Sequence, residues 1–271
     1  MQDRQCIRFL QWALPRLHMQ WAGFRKVRKQ VCKRLTHRLV ELGLADIESY
    51  QQYLSRYPDE WQRLDSLCGV VVTRFYRDKL VFAKLTEQVL PHMAITASAS
   101  SSRNELRVWS IGSASGEEAY TLAIIWQHLL SPQFPALELY ILGTETAPHL
   151  IKRSQQACYR SGSIKNLPEE LRNTAFTLSN DQYCLKPEYR ERVKFRQQDI
   201  RTTLPDETFD MILCRNLVFT YFDEPLQQAI LKRLLMQLRP GGWLVLGIHE
   251  LLPAGSWDLT VVSERLGLYH R

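Results

Sequence analysis

The chain has 271 residues, 45% of them hydrophobic, and a formal net charge of +7 at pH 7. This length suits a small domain beside a larger one, and the apolar share is enough to bury a core, which excludes a globally disordered chain. No run of about 18 apolar residues is present, and Met1 to Cys6 lacks the basic-then-apolar pattern of a secretion signal, so a cytoplasmic protein without membrane insertion is expected.

The charge is uneven from the start of the chain. Up to residue 40 stand ten cations (Arg4, Arg8, Arg16, Arg25, Lys26, Arg28, Lys29, Lys33, Arg34, Arg38) against one acid, Asp3. Such a segment attracts an anionic partner, whether nucleic acid, an acidic protein or a membrane face, or else it is an ordinary solvated helix face. Residues 1–90 read as a helical domain. Leu10, Leu14 and Leu17 recur at helical spacing, as do Val27, Val31, Leu35 and Leu39. Gly43 is a candidate helix end, Asp46 a candidate cap for the helix holding Tyr50 and Leu54, and a further helix follows Pro58 around Trp61 to Cys68. Residues 91–104 are expected to be a linker, because 95–104 are small and polar.

From residue 105 to 271 short apolar runs alternate with amphipathic stretches. Strands are expected at Leu106–Ser110, Leu137–Leu142, Val193–Gln197, Phe209–Cys214 and Trp243–Gly247. Helices are expected at Glu117–Leu130, near His149–Cys158 and at Glu224–Leu238. This alternation predicts an α/β, Rossmann-like, mostly parallel sheet with helices on both faces and ligands at the edge where the strands end. About residues 160–190 the regularity fails, which predicts a small β insertion. The cysteines at 6, 32, 68, 158, 184 and 214 form no C-x-x-C pair and no zinc-type cluster, so six reduced thiols and no metal site are expected.

Four strand ends carry candidate chemistry. The first runs into Gly112-Ser113-Ala114-Ser115-Gly116-Glu117-Glu118, a turn of small residues that lets a ligand approach the backbone. Two carboxylates at a helix N-terminus repel a phosphate and suit an ammonium or a sulfonium. S-adenosylmethionine (SAM) has both, which favours it over a dinucleotide; the alternative is acids that merely stabilise the helix N-terminus. Glu145 ends the second strand, where an acid accepts hydrogen bonds from ribose hydroxyls. Asp199-Ile200 follows the third; in class I methyltransferases an acid here meets the adenine amino group, and otherwise it caps the loop. Arg215-Asn216 end the fourth, followed by aromatics that form an active-site wall or pack the core. His249, after the fifth, is a candidate base only for a hydroxyl acceptor.

These residues fall in blocks. Thr73-Arg74-Phe75-Tyr76-Arg77-Asp78, Ser113 to Tyr120, Cys214-Arg215-Asn216 through Tyr221-Phe222, and Gly247-Ile248-His249-Glu250 together resemble the CheR family of chemotaxis-receptor glutamate methyltransferases, over about residues 20–252. The resemblance implies a class I SAM-methyltransferase core, SAM as cofactor and S-adenosyl-L-homocysteine as product. It implies that Thr73 and Arg77 touch the amino-acid end of SAM and that Arg77 also steers the substrate carboxylate. It puts Glu118 on the ammonium, Gly112 in the SAM turn, Glu145 on the ribose and Asp199 with Ile200 on the adenine. Arg215 and Asn216 would line the transfer site, with Tyr221 near the sulfonium. The insertion would dock a receptor tail. The chain departs from the family at Val71 (usually Asn), Thr220 (usually Tyr), Glu145 (usually Asp) and Ile248 (usually His).

The expected function is therefore methylation of glutamate carboxylates on an acidic protein, a chemoreceptor or other signalling protein, facing the basic helices. A glutamate is already ionised at pH 7, so no general base is required. The alternatives are a small-molecule or nucleic-acid acceptor, although the N-P-P-Y-type motif of amino-group methyltransferases is absent, and a SAM-binding regulatory module without turnover.

Overall fold

The structure is a computed structural model describing residues 2–99 and 104–271. Its residues group into two compact units, 1–72 with 218–228 and 73–217 with 229–271.

The first unit holds helices α1 (Asp3–Ala13), α2 (Trp21–Phe24), α3 (Arg28–Glu41), α4 (Ile47–Arg56) and α5 (Glu60–Cys68). Helix α3 buries Val31, Leu35 and Leu39, one face at four-residue spacing. It ends where the sequence indicates: Gly43 takes a φ of +65°, and Leu44 N donates back to Leu39 O at 2.9 Å. Asp46 caps α4 by accepting from Ser49 N at 2.8 Å. Residues 218–228 join this unit because Gln20 N donates to Tyr221 O (2.8 Å) and Met19 forms a bridge with Phe222. Of the ten cations, Arg28, Arg34 and Arg38 are half-buried and tied to Asp3, to the Leu67 and Gly69 carbonyls, and to Glu60 and Glu41 respectively; the other seven are exposed.

The second unit opens with α6 (Lys79–Lys84) and α7 (Leu90–Ser98), joined through a wider helical turn over Leu85–Val89. There follow β1 (Glu105–Ile111), α8 (Glu117–Ile125), β2 (Glu138–Glu145), α9 (Pro148–Gln156), β3 (Cys158–Tyr159), α10 (Ser161–Ile164), α11 (Glu169–Ala175), β4 (Phe176–Ser179), β5 (Gln182–Leu185), α12 (Pro187–Arg190), β6 (Val193–Gln197) and β7 (Phe209–Cys214). Helix α13 (Val218–Tyr221) and the start of α14 (Glu224–Gln237) belong to the first unit; the rest of α14, β8 (Leu238–Leu246), β9 (Thr260–Ser263) and β10 (Leu268–His270) complete the second. The seven-stranded sheet runs β6-β2-β1-β7-β8-β10-β9. The first five strands are parallel, and β10 is antiparallel to both neighbours. This is the Rossmann-like α/β fold the alternation predicts. Every residue of β7 is buried, as a strand covered on both faces requires. The expected insertion is a small sheet, β3-β5-β4, with short helices around it.

Three expectations are corrected. The first unit closes at Val72 rather than near residue 90, because Val81, Phe82, Leu85, Val89, Leu90, Met93 and Ala97 pack into the core that includes Leu106, Ile125, Met211 and Val245. The linker expected at 91–104 is helical to Ser98, and residues 100–103 lie outside those described. Four of the six cysteines are paired, Cys6 with Cys32 and Cys158 with Cys184. The antiparallel register sets Cys158 directly opposite Cys184, and α1 brings Cys6 within 5.9 Å (Cα to Cα) of Cys32 on α3; linear spacing shows neither. Cys68 and Cys214 remain buried thiols, and burial pushes the Cys68 thiol up to about 12. Among the described residues no helix is long and apolar enough to cross a membrane.

Candidate active site

Strand order reverses direction at β1, with β2 and β6 on one side and β7 and β8 on the other. Open parallel sheets bind ligands outside the carboxyl ends of their strands at such a switch. Gly112, Glu118, Glu145, Asp199, Ile200, Arg215 and Asn216 all follow the ends of β1, β2, β6 and β7 within one unit, so the fold gathers them along one edge.

The turn after β1 is held by Ser113 N donating to Thr144 O at 2.9 Å. Gly112 takes a φ of +65°, which favours glycine, and a Cβ on it would come within 2.7 Å of Leu217 Cδ2 and push that side chain aside. Gly116, φ +91°, begins α8 with no side-chain cap, and Ser113 Oγ is buried without a partner. Glu117 is fully buried; its carboxylate accepts from Ser115 Oγ (2.9 and 3.0 Å) and from Ser163 Oγ (3.0 Å).

Glu118 is the centre of the site's charge. Ser110 Oγ donates to its Oε1 at 2.8 Å, and Arg215 Nη1 donates to its Oε2 at 2.8 Å. Arg215 Nη2 reaches Asp78 at 2.7 Å and the carbonyl of Arg77 at 3.3 Å, with the Phe82 ring centroid 5.3 Å from the guanidinium carbon. One buried guanidinium between two carboxylates leaves one net negative charge, and Arg215 Nε has no partner. An ammonium fits that balance and a phosphate does not.

Glu145 is engaged on both oxygens. Oε2 accepts from Ala114 N (3.0 Å), while Oε1 accepts from Thr146 N (2.8 Å), Thr146 Oγ1 (3.1 Å) and Ala147 N (3.2 Å). Oε2 keeps a lone pair for one more donor, which suits a hydroxyl. Asp199 is forked by Arg201 (2.7 to 3.1 Å) and accepts from Arg201 N (2.9 Å). Burial pushes its carboxyl up, but the guanidinium and the backbone N–H outweigh burial and hold it below the usual range. Asp199 stays ionised, with part of its capacity taken by its own loop. Ile200, the other residue of that pair, is buried, and its carbonyl accepts from Arg233.

Thr73 and Arg77 open this unit, both half-buried. Phe75 N bonds to Ser163 O (3.0 Å) and Tyr76 N to Thr121 Oγ1 (3.1 Å), which fixes their segment against α10 and α8. Tyr221 belongs to the helical unit, its ring edge-on to Phe24 at 5.1 Å. Ile248 packs against the core and His249 is exposed. Sequence reasoning missed Asp78, Ser110 and the role of Glu250, whose carboxylate holds the loop after β7. Asp78 closes the Thr73 block, Ser110 is the one hydroxyl in an otherwise apolar strand end, and Glu250 closes the Gly247 block, so each had a signal.

The family model described as "CheR methyltransferase, SAM binding domain" matches residues 71–266. A chemotaxis protein methyltransferase of Listeria monocytogenes is 35% identical over 200 residues, 73% of this chain and 72% of the relative. One of Escherichia coli K12 is 29% identical over 232 residues, 82% and 76%. An uncharacterised 104.1 kDa protein of Rhodobacter capsulatus is 30% identical over 87% of this chain, which spans 24% of that protein. Among solved structures, the glycopeptide N-methyltransferase MtfA complexed with SAM shares 12% identity at a TM-score of 0.34, over 57% of this chain and 52% of its own. The matched segment takes in β1 through β9 and every residue gathered at the carboxyl edge, and on it the chain belongs to the CheR methyltransferase family, with residues 71–266 as its SAM-binding domain.

Proposed function

We propose that the chain transfers the methyl group of SAM to a glutamate carboxylate of an acidic protein, a chemoreceptor segment being the acceptor class that the names of its relatives suggest. The observation that carries the proposal is the anionic cluster of Glu118, Asp78 and Arg215 at the strand edge of a CheR-type domain. SAM, when bound, supplies an electrophilic methyl on a sulfonium. Glu118 would receive its ammonium, Glu145 a ribose hydroxyl, and Asp199 with Ile200 the adenine. Thr73 and Arg77 hold the amino-acid end, and Arg77 also orients the incoming carboxylate by charge. Arg215 fixes Glu118, and Asn216 would border the reacting atoms.

The acceptor is ionised at neutral pH, so alignment and partial desolvation do the work and no side chain must take a proton. SAM would supply the methyl group to the acceptor carboxylate and would leave as S-adenosyl-L-homocysteine. The seven exposed cations of the first forty residues suit an acidic protein surface.

The test uses methyl-labelled SAM with a chemoreceptor cytoplasmic fragment, followed by mild alkali. Label released as methanol from a protein band supports a methyl ester. Alkali-stable label, or label on RNA or a small molecule, overturns the glutamate acceptor. SAM binding without transfer overturns turnover on this acceptor. Arg77→Ala is expected to abolish transfer while the fold persists; wild-type turnover in that variant removes Arg77 from the mechanism.

A further inference from the structure

We propose that Glu250 is a positioning residue for methyl transfer: its buried carboxylate sets Asn216 at the mouth of β7, and this setting governs turnover rather than SAM capture. The proposal rests on the reading that methyl transfer occurs at this edge.

Asn216 stands at a φ of +57°, in the left-handed region that costs energy for any residue with a side chain, though least for Asn and Asp. Something must hold it there. Glu250, only 2% exposed, accepts from Asn216 N at 2.7 Å and Gly247 N at 2.7 Å through Oε2, and from Leu217 N at 3.1 Å through Oε1. Three backbone N–H groups from two strand ends thus converge on one carboxylate, and such charge-assisted bonds are the strong ones. The Glu250 N–H donates back to Gly247 O at 2.9 Å, closing the turn that delivers the side chain.

Gly247 completes the arrangement. A Cβ there would stand 2.7 Å from Glu250 Oε2 and 3.0 Å from Asn216 Cγ, with Asn216 Nδ2 nearer still. The Asn216 amide therefore lies against the bare α-carbon of Gly247. On the other side Leu217, pinned by the same carboxylate, covers Gly112. Glu250 thus locks together the ends of β1, β7 and β8, and the side chain whose place it fixes most tightly is Asn216. Glu118, Glu145 and Asp199 have other partners, so these three carboxylates keep their hydrogen bonds when Glu250 changes.

Glu250→Gln keeps the shape but offers one oxygen and turns an NH₂ donor toward N–H donors. Gly247→Ala keeps Glu250 and pushes Asn216 from the opposite side, which covers the case in which the first variant folds poorly. Both would be compared with wild type for SAM affinity by calorimetry, for kcat by the alkali-labile methyl assay, for melting temperature, and for the Asn216 amide proton shift by NMR. The expected result is SAM affinity within about threefold of wild type and kcat reduced by about 100-fold, with the Asn216 amide proton moved upfield in Glu250→Gln. Wild-type kcat in both variants overturns the proposal. So does a fall in kcat matched by the fall in SAM affinity and melting temperature, since that is a structural role only. If wild type binds SAM yet releases no methanol, the carboxyl-methylation reading fails by itself. The amide shift then decides: unmoved in Glu250→Gln, it overturns the positioning; moved with SAM affinity kept, it supports it.

Discussion

Arg38 in the helical unit and Arg215 in the sheet unit each meet two carboxylates, and they use them differently. Arg38 forks onto Glu60, Nε to Oε1 at 2.9 Å and Nη2 to Oε2 at 2.7 Å, and the Tyr50 hydroxyl adds a third bond to Glu60 at 2.7 Å. Its second carboxylate, Glu41, is half exposed and solvated. Arg215 instead splits its two Nη groups between Glu118 and Asp78, each largely buried, and its Nε is left without a partner. The first network closes on itself and binds α3, α4 and α5 together. The second carries an unbalanced negative charge and an unused donor along the strand edge. The same residue types make a fastener in one place and a receptor for a cation in the other, and the difference is whether the protein itself completes the set.

Breaking the open network has the largest effect. Arg215→Ala leaves Glu118 and Asp78 facing each other without their shared cation, which costs about 3–5 kcal/mol when a buried pair loses one member. Thermal unfolding should show that loss, and calorimetry should show SAM binding gone at micromolar protein. Retained SAM affinity would sink the view that Arg215 holds Glu118 in place.

Breaking the closed network should cost stability alone. Glu60→Gln exchanges charged hydrogen bonds for neutral ones, a loss of about 2 kcal/mol, with SAM affinity unaltered because Arg38 and Tyr50 lie in the helical unit. The pH dependence gives a second check. Burial pushes the Glu60 carboxyl up, but Arg38 and Tyr50 outweigh burial and hold it below its ordinary value of 4.5. A depressed folded pKa contributes stability that is present above the unfolded value and lost as pH falls through the folded one. Wild type should therefore lose stability on acidification below about pH 4.5 more steeply than Glu60→Gln; parallel curves would show that Glu60 is not the group responsible.

Glu118→Gln sharpens the contrast from the other side. It keeps an acceptor for Ser110 but removes the site's net charge, and SAM affinity should fall about tenfold, near 1.4 kcal/mol, with a melting temperature close to wild type. An unchanged affinity would mean that the ammonium finds its partner elsewhere.

How far the sequence discloses this contrast depends on the kind of feature. The strands β1, β2 and β7 announce themselves as short apolar runs, and their ends name Gly112, Glu118, Glu145 and Arg215 at once. Asp78 is harder, because its part depends on Arg215 coming from 137 residues away. The same holds for the pairing of Cys158 with Cys184 and for the grouping of residues 218–228 with α2. Helices α6 and α7 read as part of the helical domain since their pattern is helical; only the sheet they cover reveals their unit. Local chemistry is written in neighbouring residues, and networks are written in the fold.

The smallest effect separates two helix beginnings. Helix α4 is capped by Asp46, whose carboxylate accepts from Ser49 N at 2.8 Å and from Ser49 Oγ at 2.7 Å. Helix α8 starts at Gly116 with no side-chain cap, its first turn carrying Glu117 and Glu118 instead. At α4 the Asp46 side chain satisfies the Ser49 N–H, so Asp46→Ala should lower stability slightly and leave methyl transfer and SAM affinity as in wild type. The loss should shrink on acidification, because hydrogen bonds from Ser49 hold the Asp46 carboxyl below its usual range and protonation removes in wild type what the variant already lacks. Chemical unfolding at pH 7 and at pH 3 reads both parts. An equal difference between the two proteins at both values would mean that Asp46 stabilises α4 by something other than its charge.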